Sequence, residues 1–70
     1  MKRELLQSRM IRSAGYDAVR QILELEFEAG SVYQYFDVPK FTFRAFLRAS
    51  SKGHFFTTSI QRQFRCEEIK

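Results

Sequence analysis

Residues 21 to 38, QILELEFEAGSVYQYFDV, decide how the rest of the chain is arranged. Leu23, Leu25 and Phe27 alternate with Glu24, Glu26 and Glu28. A period of two puts the apolar side chains on one face of a strand and the carboxylates on the other. Ala29-Gly30-Ser31 interrupts the alternation, and Val32 to Phe36 resumes it with β-branched and aromatic residues. The segment reads as a hairpin. In a three-residue loop, a type I turn closed by a bulge, Gly30 takes the left-handed position. Leu25 then faces Tyr33 and Leu23 faces Tyr35, so both tyrosines join the leucine face. A two- or four-residue loop sets the tyrosines beside Glu26 and Glu24 instead, because a one-residue slip reverses every side chain. The first register is preferred, since it gives Gly30 the backbone task that glycine performs at least cost.

The flanking segments extend this hairpin into a domain. Met10 to Tyr16 reads as a preceding strand with Ile11 inward, and Asp17 is placed to cap its own turn. Residues 1–7 hold only Leu5-Leu6 as an apolar pair and read as a flexible leader. Residues 8–70 read as a single domain. Pro39 ends the sheet and suits the first turn of a helix, with Asp37 close enough to help cap it. Phe43, Phe46, Leu47 and Ser50 follow on one stripe at helical spacing. Ser50 and Ser51 are candidate caps for a second helix from about Lys52 to Gln63, where Phe56, Ile60 and Phe64 recur four apart. Arg65 to Lys70 reads as a tail or a short edge strand through Cys66 and Ile69. The fold class expected is α+β: a three-stranded antiparallel meander covered on one face by two short helices, in the order βββαα. In that arrangement Glu24, Glu26 and Glu28 are displayed on the open sheet face.

Composition narrows the functional classes. Seventy residues with a single cysteine and eight phenylalanines make one small domain without a disulfide, as expected of a reducing compartment. The start, MKRELLQSRM, lacks the apolar run of about 7–15 residues of a secretory signal. No stretch approaches the roughly 20 apolar residues of a membrane helix. A cytoplasmic location is expected. The net charge of +4 suits a phosphate-bearing or acidic partner.

Several residues stand out, each with a plainer reading beside the functional one. Lys40, Arg44 and Arg48 lie four apart on the first helix, with Phe41 beside them on the outward side. They form a candidate phosphate-binding ridge with an aromatic stacking surface, or an ordinary solvated helix face. Lys52, Arg62 and Arg65 add cations to the same helical layer and its tail. Tyr33 and Tyr35 are candidates for stacking on unpaired bases, or core residues whose hydroxyls reach the rim. Ser51-Lys52-Gly53-His54 offers backbone N–H groups to a phosphate, or simply joins two helices. His54 and Cys66 have no partners at metal-ligand or nucleophile–base spacing, so no catalytic residue, metal site or cofactor is expected.

Taken together, Gly15-Tyr16-Asp17, the strand Leu23 to Phe27, Gly30, Tyr33-Gln34-Tyr35, Val38-Pro39 and Ser51-Lys52-Gly53-His54-Phe55-Phe56 followed by Ile60 resemble the KTSC domain. That family is named for its occurrence at the C-terminus of some lysyl-tRNA synthetases, and it also occurs as small free-standing bacterial and phage proteins. The resemblance runs from about Ser8 to Phe64. It departs from the family pattern at Thr57-Thr58-Ser59 and at Phe64-Arg65, where an amide with basic residues and a tyrosine-proline pair are common. The resemblance implies a domain of unknown function, associated with RNA through its attachment to a tRNA enzyme. The function expected is an RNA-binding module that meets tRNA-like RNA through Lys40, Phe41, Arg44, Arg48, Lys52, Arg62 and Arg65. The alternative is a protein-interaction module, in its simplest form a homodimer through a sheet edge. No small-molecule substrate is indicated.

Overall fold

The structure, a computed structural model, describes residues Met1 to Lys70. It adopts the first of the two hairpin registers. Leu25 lies opposite Tyr33 and Leu23 opposite Tyr35. Gly30 has a φ of 105°, and its N–H donates to the Phe27 carbonyl at 2.9 Å. The Phe27 N–H in turn donates to the Ser31 carbonyl, closing the three-residue loop. Asp17 caps the preceding turn, its carboxylate accepting from the N–H groups of Val19 and Arg20.

The fold class is α+β, but the sheet has five strands rather than three. They are β1 (Glu4–Leu5), β2 (Ile11–Asp17), β3 (Ile22–Phe27), β4 (Val32–Tyr35) and β5 (Cys66–Glu68). All neighbours are antiparallel, and their order in space follows their order in sequence. The added strands come from the segment read as a leader and from the tail. The tail forms the short edge strand through Cys66 that its sequence offered, whereas a strand of two residues such as β1 carries no measurable periodicity and only the pairing reveals it. Between β4 and β5 run α1 (Lys40–Arg48) and α2 (Lys52–Phe55), the latter continuing as a π turn over Phe56–Ile60. The second helix therefore ends about three residues before the expected Gln63.

The helices cover the leucine face. Ile11, Leu23, Leu25, Val38, Phe46 and Ile60 are fully buried there. Each large apolar side chain so buried is worth about 1.5–3 kcal/mol relative to exposure, which matters in a chain this short. Tyr16 stacks on Phe43 with ring centroids 4.7 Å apart, and its hydroxyl donates to the Val38 carbonyl at 2.6 Å. Ser51 caps α2, its hydroxyl accepting from the His54 N–H. Asp37 does not cap α1. It sits at a φ of 59°, and α1 begins without a side-chain cap because Pro39 occupies that position in extended conformation.

The opposite face is not the open carboxylate surface expected. Glu24 is only 4% exposed, and Glu26 is half-buried. Residues Lys2 and Arg3 pass directly over Gly15, where a Cβ would collide with the Lys2 carbonyl oxygen. From there Arg3 forms an ion pair with Glu24 at 2.5 Å and donates to the Ser13 hydroxyl at 3.1 Å. Ser13 donates to Glu26, and the Gln34 amide donates to Glu24, both at 2.8 Å. A carboxylate on this face is tolerable away from water because Arg3 and Gln34 donate to Glu24 and Ser13 donates to Glu26. Only Glu28, in the turn beyond β3, is freely exposed.

Candidate functional site

Charge is segregated along the chain. From Val38 to Cys66 there are six cations and no acids, whereas the remaining residues hold six cations and eight acids. The only ion pair within 4.0 Å is Arg3 with Glu24, so no carboxylate neutralises the cations of the helical layer. Lys40, Arg44 and Arg48 are exposed along α1. Phe41 stands beside them at 75% exposure, an apolar ring that fills no core. These four form one continuous side of α1, since residues three and four apart are neighbours on a helix.

The other predicted cations are not gathered with them. Lys52 is half-buried, and its ammonium donates to the Ala49 carbonyl at 3.0 Å. Arg62 is exposed after the π turn. Arg65 lies with its guanidinium 5.1 Å from the centre of the Phe36 ring, at the β4–β5 side of the sheet. The α1 helix packs toward the other edge, where its Phe43 stacks on Tyr16 of β2. The predicted set thus divides into a ridge on α1 and separate cations elsewhere.

The two tyrosines have different fates. Tyr35 is 3% exposed and meets Phe56 edge-on at 5.7 Å, so neither ring face is open to a base. Burial, followed by the negative charges that Cys66 and Tyr33 can carry, pushes its ionisation well upward. Tyr33 is half-buried, edge-on to Phe27 at 5.8 Å. The Glu68 carboxylate beside it is the chief cause of its raised pKa. Both rings are core or core-margin residues, as the favoured register implies. The Ser51–His54 turn is likewise internally satisfied: Ser51 and Lys52 bond within it and to Ala49. No group of three His, Cys, Asp or Glu side chains converges to hold a metal ion.

One feature escaped the sequence reading. A cleft of about 360 Å³ opens between α1 and the β1–β2 edge. Lys2, Glu4 and Leu6, every second residue of the first segment, line it from one side. Lys40, Phe43, Arg44 and Leu47 line it from α1, with Tyr16 between. Desolvation, and then the charge of Asp17, raises the Tyr16 pKa, so this ring is neutral at physiological pH. The alternation of Lys2, Glu4 and Leu6 was the available signal, but three positions without a known neighbour say nothing about what they face.

The KTSC domain model matches residues 7–64 of this chain. An uncharacterized protein of Stutzerimonas stutzeri is 46% identical over 63 residues, covering 90% of this chain and 89% of that protein. A lysine–tRNA ligase of Nostoc is 39% identical over 59 residues, which span 84% of this chain but 10% of the ligase. Among solved structures, a KTSC domain protein from Yersinia pestis superposes with a TM-score of 0.93 at 40% identity, covering 99% of this chain and 97% of that one.

Proposed function

The chain belongs to the KTSC domain family, and from that premise we propose that it is a non-enzymatic RNA-binding module contacting phosphate through the α1 ridge. The observation that carries this reading is the run from Val38 to Cys66, with six cations, no acids and no compensating ion pair. Unpaired cations on one side of a small domain attract polyanions and release their counterions on binding. Lys40, Arg44 and Arg48 supply the phosphate contacts, and Phe41 supplies a ring on which a base can stack. Lys52, Arg62 and Arg65 add to the field from other parts of the surface. The similarity to a segment of lysine–tRNA ligases makes a structured, tRNA-like RNA the first ligand to try.

The test is a fluorescence anisotropy titration of total tRNA at 50 and 100 mM salt, concentrations at which phosphate contacts still act. Micromolar binding is expected, with a log-log salt slope that falls by roughly one for each cation removed. The double variant Arg44→Glu/Arg48→Glu is expected to abolish binding while leaving the fold intact, because both side chains are exposed. Absence of binding by the unaltered protein at micromolar concentration overturns the reading.

A second reading has its own observation. The β5 strand, Cys66–Glu68, is exposed along its length at the edge of the sheet, followed by the half-exposed Ile69. An open edge of this kind can pair with a second copy. Light scattering distinguishes the two readings: a stable dimer that survives the Arg44/Arg48 reversal and has no RNA affinity supports edge pairing.

A further inference from the structure

We infer that the cleft between α1 and the β1–β2 edge is a subsite for one unpaired base of an RNA strand, with the flanking phosphates held by Lys2, Lys40 and Arg44. The inference rests on the RNA-binding reading and deepens it, since it specifies single-stranded RNA and the place where a base enters. Three observations combine. The cleft measures about 360 Å³, at the lower end of the roughly 300–1,000 Å³ of small-ligand pockets and suited to a nucleoside-sized group. Half of its lining residues are apolar or aromatic, with Phe43 stacked on Tyr16 and the 43%-exposed Leu47 alongside. Three cations share the same cleft with a single acid, Glu4, and none of them is ion-paired. An apolar slot flanked by free cations matches a nucleotide, whose base is flat and poorly hydrated and whose phosphate is anionic. It does not match an A-form duplex, where bases are already stacked and only backbone is presented.

Position supports the same occupant. Lys40 and Arg44 belong both to this cleft and to the exposed ridge of α1. A strand following the ridge therefore passes the mouth of the cleft, with Phe41 on the ridge's far side. The Tyr16 hydroxyl is already committed to the Val38 carbonyl. The site accordingly discriminates little by hydrogen bonding, and it should accept any base large enough to fill it.

The experiment compares three probes of equal length at 100 mM salt: a decamer of adenylate, an abasic decamer with the same backbone, and a blunt RNA duplex. Stacking on protein aromatics is worth roughly 5- to 150-fold in affinity per base, so the adenylate strand is expected to bind at least about fivefold tighter than the abasic one. Phe43→Leu is expected to erase most of that ratio. Leu47→Gln, at a position 43% exposed, is expected to reduce it in the same direction. Photo-crosslinking of a 4-thiouridine-bearing strand should then label Tyr16 or Phe43. If all three probes bind equally, the RNA-binding reading survives and the cleft inference fails. A preference for adenylate that disappears in Phe41→Ala but persists in Phe43→Leu and Leu47→Gln also overturns it, because the base then sits on the ridge. If no probe binds, the RNA-binding reading itself falls, and the subsite with it.

Discussion

Gly15 and Gly53 are chemically identical and structurally opposite. At Gly15 the space for a Cβ is taken by the Lys2 backbone, which cannot swing aside as a side-chain end can. At Gly53 a Cβ would meet only Met10 side-chain atoms at 3.5 Å or more, ordinary contact, within a helix. Gly53→Ala is therefore expected to gain up to about 1 kcal/mol, or roughly 4–8 °C in Tm for a domain of this size. Gly15→Ala is expected to lower Tm and to release the first residues from the sheet. Thermal melts followed by circular dichroism check both, and equal shifts at the two glycines would remove the close-approach argument. Tyr35 offers a second test at this scale. Its pKa is raised, mainly by burial, so the folded protein holds the phenolic proton more tightly than the unfolded chain does. That contribution is complete below about pH 10, the unfolded value, and is lost as pH rises toward the higher folded value. Stability should fall as pH rises above about 10, and Tyr35→Phe should fall less steeply over the same range in urea titrations.

The first strand is the least conspicuous element and the one with most to hold. Only Glu4 and Leu5 pair with β2, yet the adjoining Arg3 is the sole charged partner of the buried Glu24 carboxylate. Removing one member of such a pair leaves the other desolvated and uncompensated, which costs more than the pair itself contributes. Arg3→Ala is expected to destabilise the domain by about 1–3 kcal/mol in urea unfolding. Glu24→Gln, which keeps the shape and removes the charge, should cost less. If Arg3→Ala were neutral, water rather than the guanidinium would be solvating Glu24. The α1 helix is built the other way. Phe46 ties it to the core while Lys40, Arg44 and Arg48 face outward, so substitutions along the ridge should change binding without changing stability.

At the scale of the molecule, the cations sit on more than one side. The α1 ridge and its cleft lie toward the β1–β2 edge, whereas Arg65 is held against Phe36 near β5. A nucleotide seated on the ridge does not thereby contact Arg65. Arg44→Ala is expected to weaken RNA binding several-fold more than Arg65→Ala when the two are compared at the same salt. Equal losses would mean that net charge, not the ridge, governs affinity. The same geometry separates the two functional readings, since the open β5 edge is on the far side from the ridge and a dimer formed there leaves α1 free.

The hairpin, its register and most of the core were legible because they depend on neighbours in sequence. Leu23 and Leu25 alternate with glutamates, Gly30 takes a φ of 105°, and Phe43 with Phe46 on the first helix and Phe56 with Ile60 on the second sit at helical spacing, although Leu47 and Ser50 of the first stripe are left exposed. Local chemistry of that kind is written into the chain itself. The burial of Glu24, the work done by Arg3 and Gly15, and the cleft against α1 were not legible, because each joins residues from separate segments. A charge looks solvated until something covers it, and only the closing of the sheet edge by the first residues determines that this one is covered.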